Sequence, residues 1–374
     1  MRLSMLRPLY EQAGPWASVY VDTSRNTEDG AEQVDLRWRA ARESLAADGC
    51  DEDTLDAMEQ AVLERPQEPG RHGLAVFAAH GAVALAQPLD APPRREIAAF
   101  GPLPHTMPLV AQLGEQIPYV QVLVDHTGGF LTGTGPGRLV RTASVEGSQD
   151  FPIRKSNVGG WQQSHWQQAA QESWQRNAGE VAVAVAELAE GCDAQVIVVG
   201  GDPRSRPMLV ERLPERWRDL VVTTEAGARA AGADPHALDE ATIRAVAERA
   251  AAHETDVVDR YRMQRGRDAA AGDGLPAVVA ALQRGQVDTV LLVDDPSSTQ
   301  MLWAGPEPLQ LSYDAAELHA MGVAAPWKVR ADAALVRALA CSDAGLTLVE
   351  PAELPVDGGV AALLRYADAS TRHR

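Results

Sequence analysis

The sequence contains few cysteines and no long apolar run. Its three cysteines, at positions 50, 192 and 341, form no CxxC pair, so neither a disulfide framework nor a zinc ribbon is expected. No stretch approaches the roughly 20 apolar residues of a membrane span, and the first residues lack the apolar core of a signal peptide. These absences predict a protein of the reducing cytoplasm rather than a secreted, zinc-finger or membrane protein.

Lysine is nearly absent, and acidic residues outnumber basic ones. Of the 34 basic residues only Lys155 and Lys328 are lysines, and the others are arginines. A coding bias towards arginine and alanine is the simplest explanation. The 52 acidic residues give a formal net charge of −18 at pH 7, and so acidic a surface repels phosphate backbones. A nucleic-acid role would therefore require a locally basic segment or a protein intermediary.

The apolar patterns predict an α/β (α+β) chain of three consecutive domains, at 1–116, 117–267 and 268–374. In the first domain we expect a strand at 17–22, helices within 31–65, a hairpin at 73–87 and a proline-containing boundary region at 97–116. In the second we expect an antiparallel meander with strands at 119–124, 128–134 and 138–145, helices at about 162–190 and 238–264, and strands at 195–200 and 219–223. In the third we expect helices at 275–284, 332–341 and 358–366, strands at 288–293 and 345–349, and an irregular stretch between Asp295 and Trp327.

Two short motifs that follow strands are weak indicators of chemistry. The run GGDPRSR at 200–206 lacks the spacing of a P-loop or of a dinucleotide fingerprint, which favours an ordinary strand-to-helix turn. Asp294 and Asp295 end a strand, but no third acid or histidine is near them in sequence, which favours capping and solvation over catalysis. The sequence contains no HExxH, HxH or GxSxG motif, so no metal or cofactor is expected.

The segment 151–176 differs in charge and composition from the rest of the chain. It contains Arg154, Lys155 and Arg176 against the single acid Glu172, together with three tryptophans and six glutamines. A glycine pair stands where a loop enters a helix, and glycine permits backbone conformations that other residues avoid. Cations, indoles and amides at a helix start suit contact with phosphates and unstacked bases. The residues we predict to bind RNA here are Arg154, Lys155, Asn157, Gly159, Gly160, Trp161 and Gln162.

The other tryptophans of this segment have a structural explanation. Trp166 and Trp174 lie on the apolar stripe of the expected helix, and the glutamines suit its solvated face. A second basic cluster, at 260–267, ends a helix. Its arginines complement the helix dipole, and the alternative is that Arg260 and Arg262 contact RNA at a basic hinge.

The order of these parts resembles the archaeal–eukaryotic release factor and Pelota superfamily. It is most similar to the bacterial branch that includes the ribosome hibernation factor Balon and its actinobacterial relatives. Three stretches carry the resemblance: SVYVD at 18–22, the meander followed by RKSNVGGWQQ at 154–163, and VDGGVAALLRYA at 356–367.

The resemblance implies a first domain at the decoding centre and a middle domain of ribonuclease H-like fold that reaches the peptidyl-transferase centre. It also implies a C-terminal α/β/α sandwich that contacts a translational GTPase, here elongation factor Tu. In hydrolytic members, a glutamine directly after two glycines helps to place a water against the peptidyl-tRNA ester. In this sequence Trp161 follows Gly159 and Gly160, and glutamine comes one position later, at Gln162.

The first hypothesis is a non-enzymatic, ribosome-binding hibernation or stress factor that occupies the aminoacyl-tRNA site of idle or stalled ribosomes. Its partners would be ribosomal RNA and the GTPase. The second is a peptidyl-tRNA hydrolase or rescue release factor that uses Gln162 or Gln163. A third is an α/β protein that binds a small ligand without contacting the ribosome.

Overall fold

The computed structural model describes residues 1–25, 29–64, 70–135, 140–146, 161–226, 236–267 and 270–366, with side chains omitted at 161–171. The chain forms two compact units. Unit 1 comprises residues 1–114 and 256–374, and unit 2 comprises residues 115–255. Unit 1 thus joins most of the first and third expected domains, and the division into three domains stays a prediction. Among the described residues, no helix is both long and apolar enough to cross a membrane.

Unit 1 begins with a four-stranded antiparallel sheet in the order β3-β2-β1-β4, covered on one face by two helices. Its elements are β1 (Trp16–Asp22), α1 (Gly30–Ala47), α2 (Glu52–Leu63), β2 (Gly73–Ala79), β3 (Ala82–Leu89), β4 (Ile97–Gly101) and α3 (Met107–Leu113). His80 and Gly81 both have positive φ and form the two-residue turn that suits the twist of a hairpin. The expected first strand, both helices and the hairpin are confirmed.

The expected boundary region at 97–116 contains the division between the two units, which comes after Gly114, but most of the region belongs to the packed structure of unit 1. β4 pairs along β1, and α3 contributes the buried Met107, Leu109 and Val110 to the core of unit 1. Pro108 lies in the first turn of α3, where the missing N–H has no helical partner to lose. Pro108 therefore lies at the start of a packed helix.

Unit 2 contains a five-stranded sheet in the order β7-β6-β5-β8-β9. Its elements are β5 (Tyr119–Val124), β6 (Gly128–Thr134), β7 (Val140–Glu146), α4 (Trp161–Cys192), β8 (Val196–Gly201), α5 (Ser205–Arg212), α6 (Glu215–Arg218), β9 (Val221–Thr223) and α7 (Ala237–Gly266), the last passing into unit 1 at residue 256. β5, β6 and β7 form the expected antiparallel meander, and β8 and β9 extend it in parallel. Val181, Val185 and Ala189 of α4 are buried in its core.

The last part of unit 1 contains two further sheets, in the orders β10-β16-β11-β15 and β13-β12-β14. The elements are β10 (Ala271–Asp273), α8 (Gly274–Gln283), β11 (Val287–Val293), β12 (Met301–Ala304), β13 (Leu311–Ser312), α9 (Ala315–Ala320), β14 (Trp327–Arg330), α10 (Ala331–Ala340), β15 (Gly345–Val349) and β16 (Val360–Leu364). The stretch expected to be irregular thus contains a small sheet of its own. One apolar core joins this part with residues from the first sheet, including Trp16 and Phe77, and with Leu6 of the N-terminal 3-10 helix.

The expected helix at 358–366 was wrong. Val360–Leu364 is strand β16, which pairs on one side with β10 and on the other with β11, and all five of its residues are buried. A short continuous apolar run is compatible with either a buried helix or a doubly covered strand, and periodicity does not distinguish them. The pairing of residues 360–364 along both edges shows that they form a strand.

Helix α7 has nearly the expected extent, and the burial of its apolar residues shows which face meets the sheet. Ile243 is 69% exposed, whereas Leu238 in the same helix is 7% exposed and belongs to a cluster with Val196 and Val198 of β8. The helix therefore faces the sheet with Leu238 and turns Ile243 to solvent.

Replacing Leu238 with alanine should lower the free energy of unfolding by about 2–3 kcal/mol, because it removes buried apolar contacts between α7 and β8. Ile243→Ala in the same helix is the matched control. It should change that free energy by less than about 0.5 kcal/mol, because the side chain is exposed. Urea unfolding followed by circular dichroism measures both, and equal losses would contradict this orientation of α7.

Candidate RNA-contacting site

The predicted RNA-contacting segment lies between β7 and α4 of unit 2. Arg154, Lys155, Asn157, Gly159 and Gly160 fall outside the described residues. Trp161 is the first residue of α4, and Gln162 and Gln163 follow it in the first turn. The described structure therefore defines the two ends of the segment, at Glu146 and Trp161.

A rigid turn between β5 and β6 determines where α4 meets the sheet. One carboxylate oxygen of Asp125 accepts hydrogen bonds from the backbone N–H of Thr127 at 2.7 Å and of Gly128 at 3.1 Å. It also accepts the Thr127 hydroxyl at 2.6 Å. This arrangement fixes the backbone at His126, as Asx turns commonly do. The turn therefore presents a fixed carbonyl and a fixed ring to α4.

Helix α4 docks on that turn through Asn177 and Trp174. The side-chain amide of the buried Asn177 donates a hydrogen bond of 3.0 Å to the His126 carbonyl. The ring centroids of His126 and Trp174 are 5.8 Å apart. The expected structural role of Trp174 agrees with this half-buried contact, while the side chain of Trp166 is outside the described part.

The start of α4 is far from its docking point. Trp161 precedes Asn177 by sixteen residues of the same helix, which corresponds to about 24 Å of axial length. The first turn contains no acidic residue, so the partial positive charge of the helix N-terminus is not offset there. Such an end attracts phosphate groups.

Arginines of the second basic cluster already have acidic partners. Arg260 forms an ion pair with Asp288 at 3.4 Å, and Arg262 pairs with Asp259 at 3.6 Å and with Glu353. The arginine side chains are 57% and 52% exposed, and exposed pairs of this kind contribute only about 0–1 kcal/mol. The pairs connect the end of α7 to other parts of unit 1.

The same region of unit 1 contains a tyrosine with an altered acidity. The Tyr261 hydroxyl donates a hydrogen bond of 2.6 Å to Asp273, which also pairs with Arg265 at 2.7 Å. Burial, followed by the hydrogen bond and the negative charge of Asp273, raises the pKa of Tyr261 well above its ordinary value. Tyr261 therefore stays neutral and structural.

The two motifs that follow strands, GGDPRSR at 200–206 and the pair Asp294 and Asp295, have different surroundings in the structure. Asp202 of the GGDPRSR run accepts the backbone N–H groups of Arg204 at 2.9 Å and Ser205 at 3.0 Å. This confirms an ordinary strand-to-helix turn.

At the other motif, Asp294 pairs with Arg94 at 2.8 Å, and both line a cavity that also contains His105 and Asp332. A histidine and a third acid are thus close to it in space, which the sequence order did not show.

The comparisons with known proteins identify a family of release factors. A family model described as bacterial archaeo-eukaryotic release factor family 2 matches residues 118–267. The chain is also 30% identical over 369 residues to "Uncharacterized protein Rv2629" of Mycobacterium tuberculosis (strain ATCC 25618 / H37Rv), a match that spans 98% of this chain and 97% of the relative. The chain is therefore a release-factor-like protein of the bacterial branch of the superfamily. It belongs to bacterial archaeo-eukaryotic release factor family 2, and the resemblance described above is confirmed.

Solved structures of the superfamily are similar at low identity. Pelota of Archaeoglobus fulgidus is 13% identical, with 98% of this chain and 92% of that chain covered and a TM-score of 0.34. Dom34 of Saccharomyces cerevisiae, a translation termination-like factor, is 11% identical, with 81% and 82% covered and a TM-score of 0.39. A model of ribosome-bound archaeal Pelota is 15% identical, with 97% and 94% covered and a TM-score of 0.41. Scores of this size do not carry residue roles from one chain to another.

Replacing Asn177 with alanine should lower the free energy of unfolding of unit 2 by about 1–3 kcal/mol, because it leaves the His126 carbonyl without its hydrogen bond. Hydrogen exchange followed by mass spectrometry should show faster exchange in peptides covering the β5–β6 turn and the middle of α4. Gln175→Ala, at an exposed neighbouring position, is the control and should leave exchange unchanged. Unchanged exchange in the Asn177 variant would show that this contact does not hold α4.

Proposed function

We propose that this protein is a ribosome-binding translation factor whose segment 151–163 contacts ribosomal RNA. The observation that carries the proposal is that the family match at 118–267 contains the one segment in which cations, a glycine pair and tryptophans come together. That segment leads into the acid-free first turn of α4. A basic segment in a chain of net charge −18 restricts phosphate attraction to a small region.

The finer role that we propose is occupancy of the aminoacyl-tRNA site of idle or stalled ribosomes, as in hibernation or stress. In this role residues 154–163 extend towards the peptidyl-transferase centre, and the middle part of the chain has the ribonuclease H-like fold of the superfamily. Residues 268–374 contact a translational GTPase, elongation factor Tu. The resemblance supports this arrangement, and the acidic net charge suits delivery by a protein partner.

We infer that the protein blocks the site without hydrolysing peptidyl-tRNA. In the hydrolytic pattern the glutamine directly follows the glycine pair, whereas here Trp161 holds that position and begins α4. Successive helix positions are rotated by about 100°, so position 162 is turned away from the direction of position 161. Placing a water against an ester demands sub-ångström accuracy. A glutamine displaced by one position no longer provides that accuracy.

Changing Arg154 and Lys155 together to glutamate should weaken ribosome binding by about tenfold or more, because it removes two phosphate contacts and adds repulsion. The salt dependence of log K should also become shallower, by about 0.7–0.9 for each lost phosphate contact. Pelleting with ribosomes across a salt series measures both. Binding equal to that of the unchanged protein at every salt concentration would remove the segment as the RNA anchor.

Two control variants separate the local effect from overall charge. Arg39→Glu with Arg244→Glu makes the same charge change at two exposed positions outside the segment, and it should weaken binding less. Arg260→Gln with Arg262→Gln tests the second basic cluster, whose arginines already pair with acids. An equal loss in either control would show that general charge, or the α7 cluster, carries the binding.

The alternative, a rescue hydrolase that uses Gln162 or Gln163, is tested with ribosomes that carry peptidyl-tRNA. We expect no peptide release above a buffer control. Deletion of Trp161 places Gln162 directly after Gly160 and should permit release if the glutamine register is the obstacle. Release by the unchanged protein that Gln162→Ala abolishes would instead establish the hydrolase.

A further inference from the structure

A cavity of about 220 Å³ lies within unit 1 at the carboxyl end of β11. In open α/β sheets, ligands bind beyond the carboxyl ends of parallel strands, and β11 and β15 are parallel. The cavity is smaller than the roughly 300–1,000 Å³ typical of drug-sized ligands. Apolar side chains from five helices and strands line part of its wall: Met107, Leu275, Leu292, Leu335 and Val360.

Two ion pairs line this cavity, and each joins one arginine to one aspartate. Arg94 donates a hydrogen bond of 2.8 Å to the Asp294 carboxylate. Arg330 contacts both carboxylate oxygens of Asp332, at 3.1 Å and 2.6 Å, in the two-point geometry that guanidinium groups favour. The charges within each pair offset one another, although the Arg330 charge also helps to lower the pKa of Asp295.

Two further lining charges, Arg95 and Asp295, form no ion pair among the described residues. Arg95 is exposed at the cavity, and in the described part of the chain its guanidinium forms neither a hydrogen bond nor an ion pair. Asp295 accepts only neutral donors, the backbone N–H of Ser297 at 2.9 Å and its hydroxyl at 2.6 Å. These hydrogen bonds lower the pKa of Asp295, so its carboxylate stays charged at neutral pH. One cation and one anion therefore remain available.

His105 is another lining residue of the same cavity, and its ring contains a buried nitrogen without a hydrogen-bond partner in the described structure. Its backbone is fixed at both ends, since its N–H donates to Ser18 at 3.0 Å and its carbonyl accepts from Tyr20 at 2.8 Å. The imidazole Nδ1 is buried and has no hydrogen-bond partner in the described structure. Burial lowers the pKa of His105, so the ring is neutral at pH 7. A neutral imidazole offers one donor and one acceptor.

We propose that this cavity binds a free α-amino acid with an apolar side chain. The ligand's carboxylate faces Arg95, its ammonium group faces Asp295, and its side chain lies against the apolar wall. The three arginines and three aspartates that line the cavity balance in charge, which favours a zwitterion over an anion such as a nucleotide. This inference is independent of ribosome binding.

Isothermal titration of the full chain with L-phenylalanine and L-leucine tests the proposal. Two analogues remove one charge each: 3-phenylpropionate lacks the ammonium group, and 2-phenylethylamine lacks the carboxylate. We expect phenylalanine to bind at least about tenfold more tightly than either analogue. Absence of saturable binding at millimolar concentration, or equal binding of all three phenyl compounds, would overturn the proposal.

Two variants assign the charges to residues. Arg95→Gln should reduce phenylalanine binding to the level of 2-phenylethylamine while leaving the amine unchanged, and Asp295→Asn should do the converse with 3-phenylpropionate. Arg39→Gln, an exposed arginine of α1 paired with Asp35, is the matched control and should bind phenylalanine as the unchanged protein does. Thermal unfolding of each variant verifies the fold. If Arg95→Gln and Asp295→Asn bind like the control, the amino acid does not use these charges.

Discussion

The close approach of α4 to β6 is the constraint on which the candidate site depends. A Cβ atom added at Gly129 would lie 3.0 Å from a methyl carbon of Val181, and one at Gly133 would lie 2.8 Å from the Cys192 sulfur. The two glycines are four residues apart on one strand, so they open the same face of the sheet. Their missing side chains let α4 lie against the strand itself. The direction of α4, and with it the position of Trp161, follows from this contact.

Much of unit 2 could be predicted from the sequence, because its signals are local. Alternating apolar residues, glycine-rich turns and one long amphipathic helix each leave a pattern within a few residues. Strand β16 could not be predicted in this way, because its five apolar residues have no period and its pairing partners come from β10 and β11, up to about 90 positions earlier. At β4 and α3 the prolines suggested only a boundary, whereas Pro108 lies in the first turn of a buried helix and the division between the units comes after Gly114.

The two candidate sites differ in the same way: the residues of one are consecutive in the sequence, and those of the other are far apart in it. The basic segment 151–163 is visible in composition, since its cations, glycines and tryptophans are consecutive. The cavity of unit 1 is not visible, because Arg95, His105 and Asp295 come from separate parts of the chain. The sequence also could not show that Asp294 pairs with Arg94, whereas Asp295 accepts hydrogen bonds only from the neutral Ser297. Which charges are paired is a property of the packing, and this determines what the cavity can bind.

The length of α4 also bears on how an acidic protein can approach RNA. At physiological salt, electrostatic interactions between exposed charges are largely screened beyond about 8 Å. The start of α4 is about 24 Å along the helix from its docking point at Asn177, so repulsion from acids near that point, such as Asp125 and Glu146, is strongly reduced there. At low salt the screening length grows and that repulsion extends further. If the segment contacts RNA as proposed, raising salt weakens both its attraction to phosphate and the repulsion from the sheet, so the net salt dependence is smaller than the number of cations alone would give.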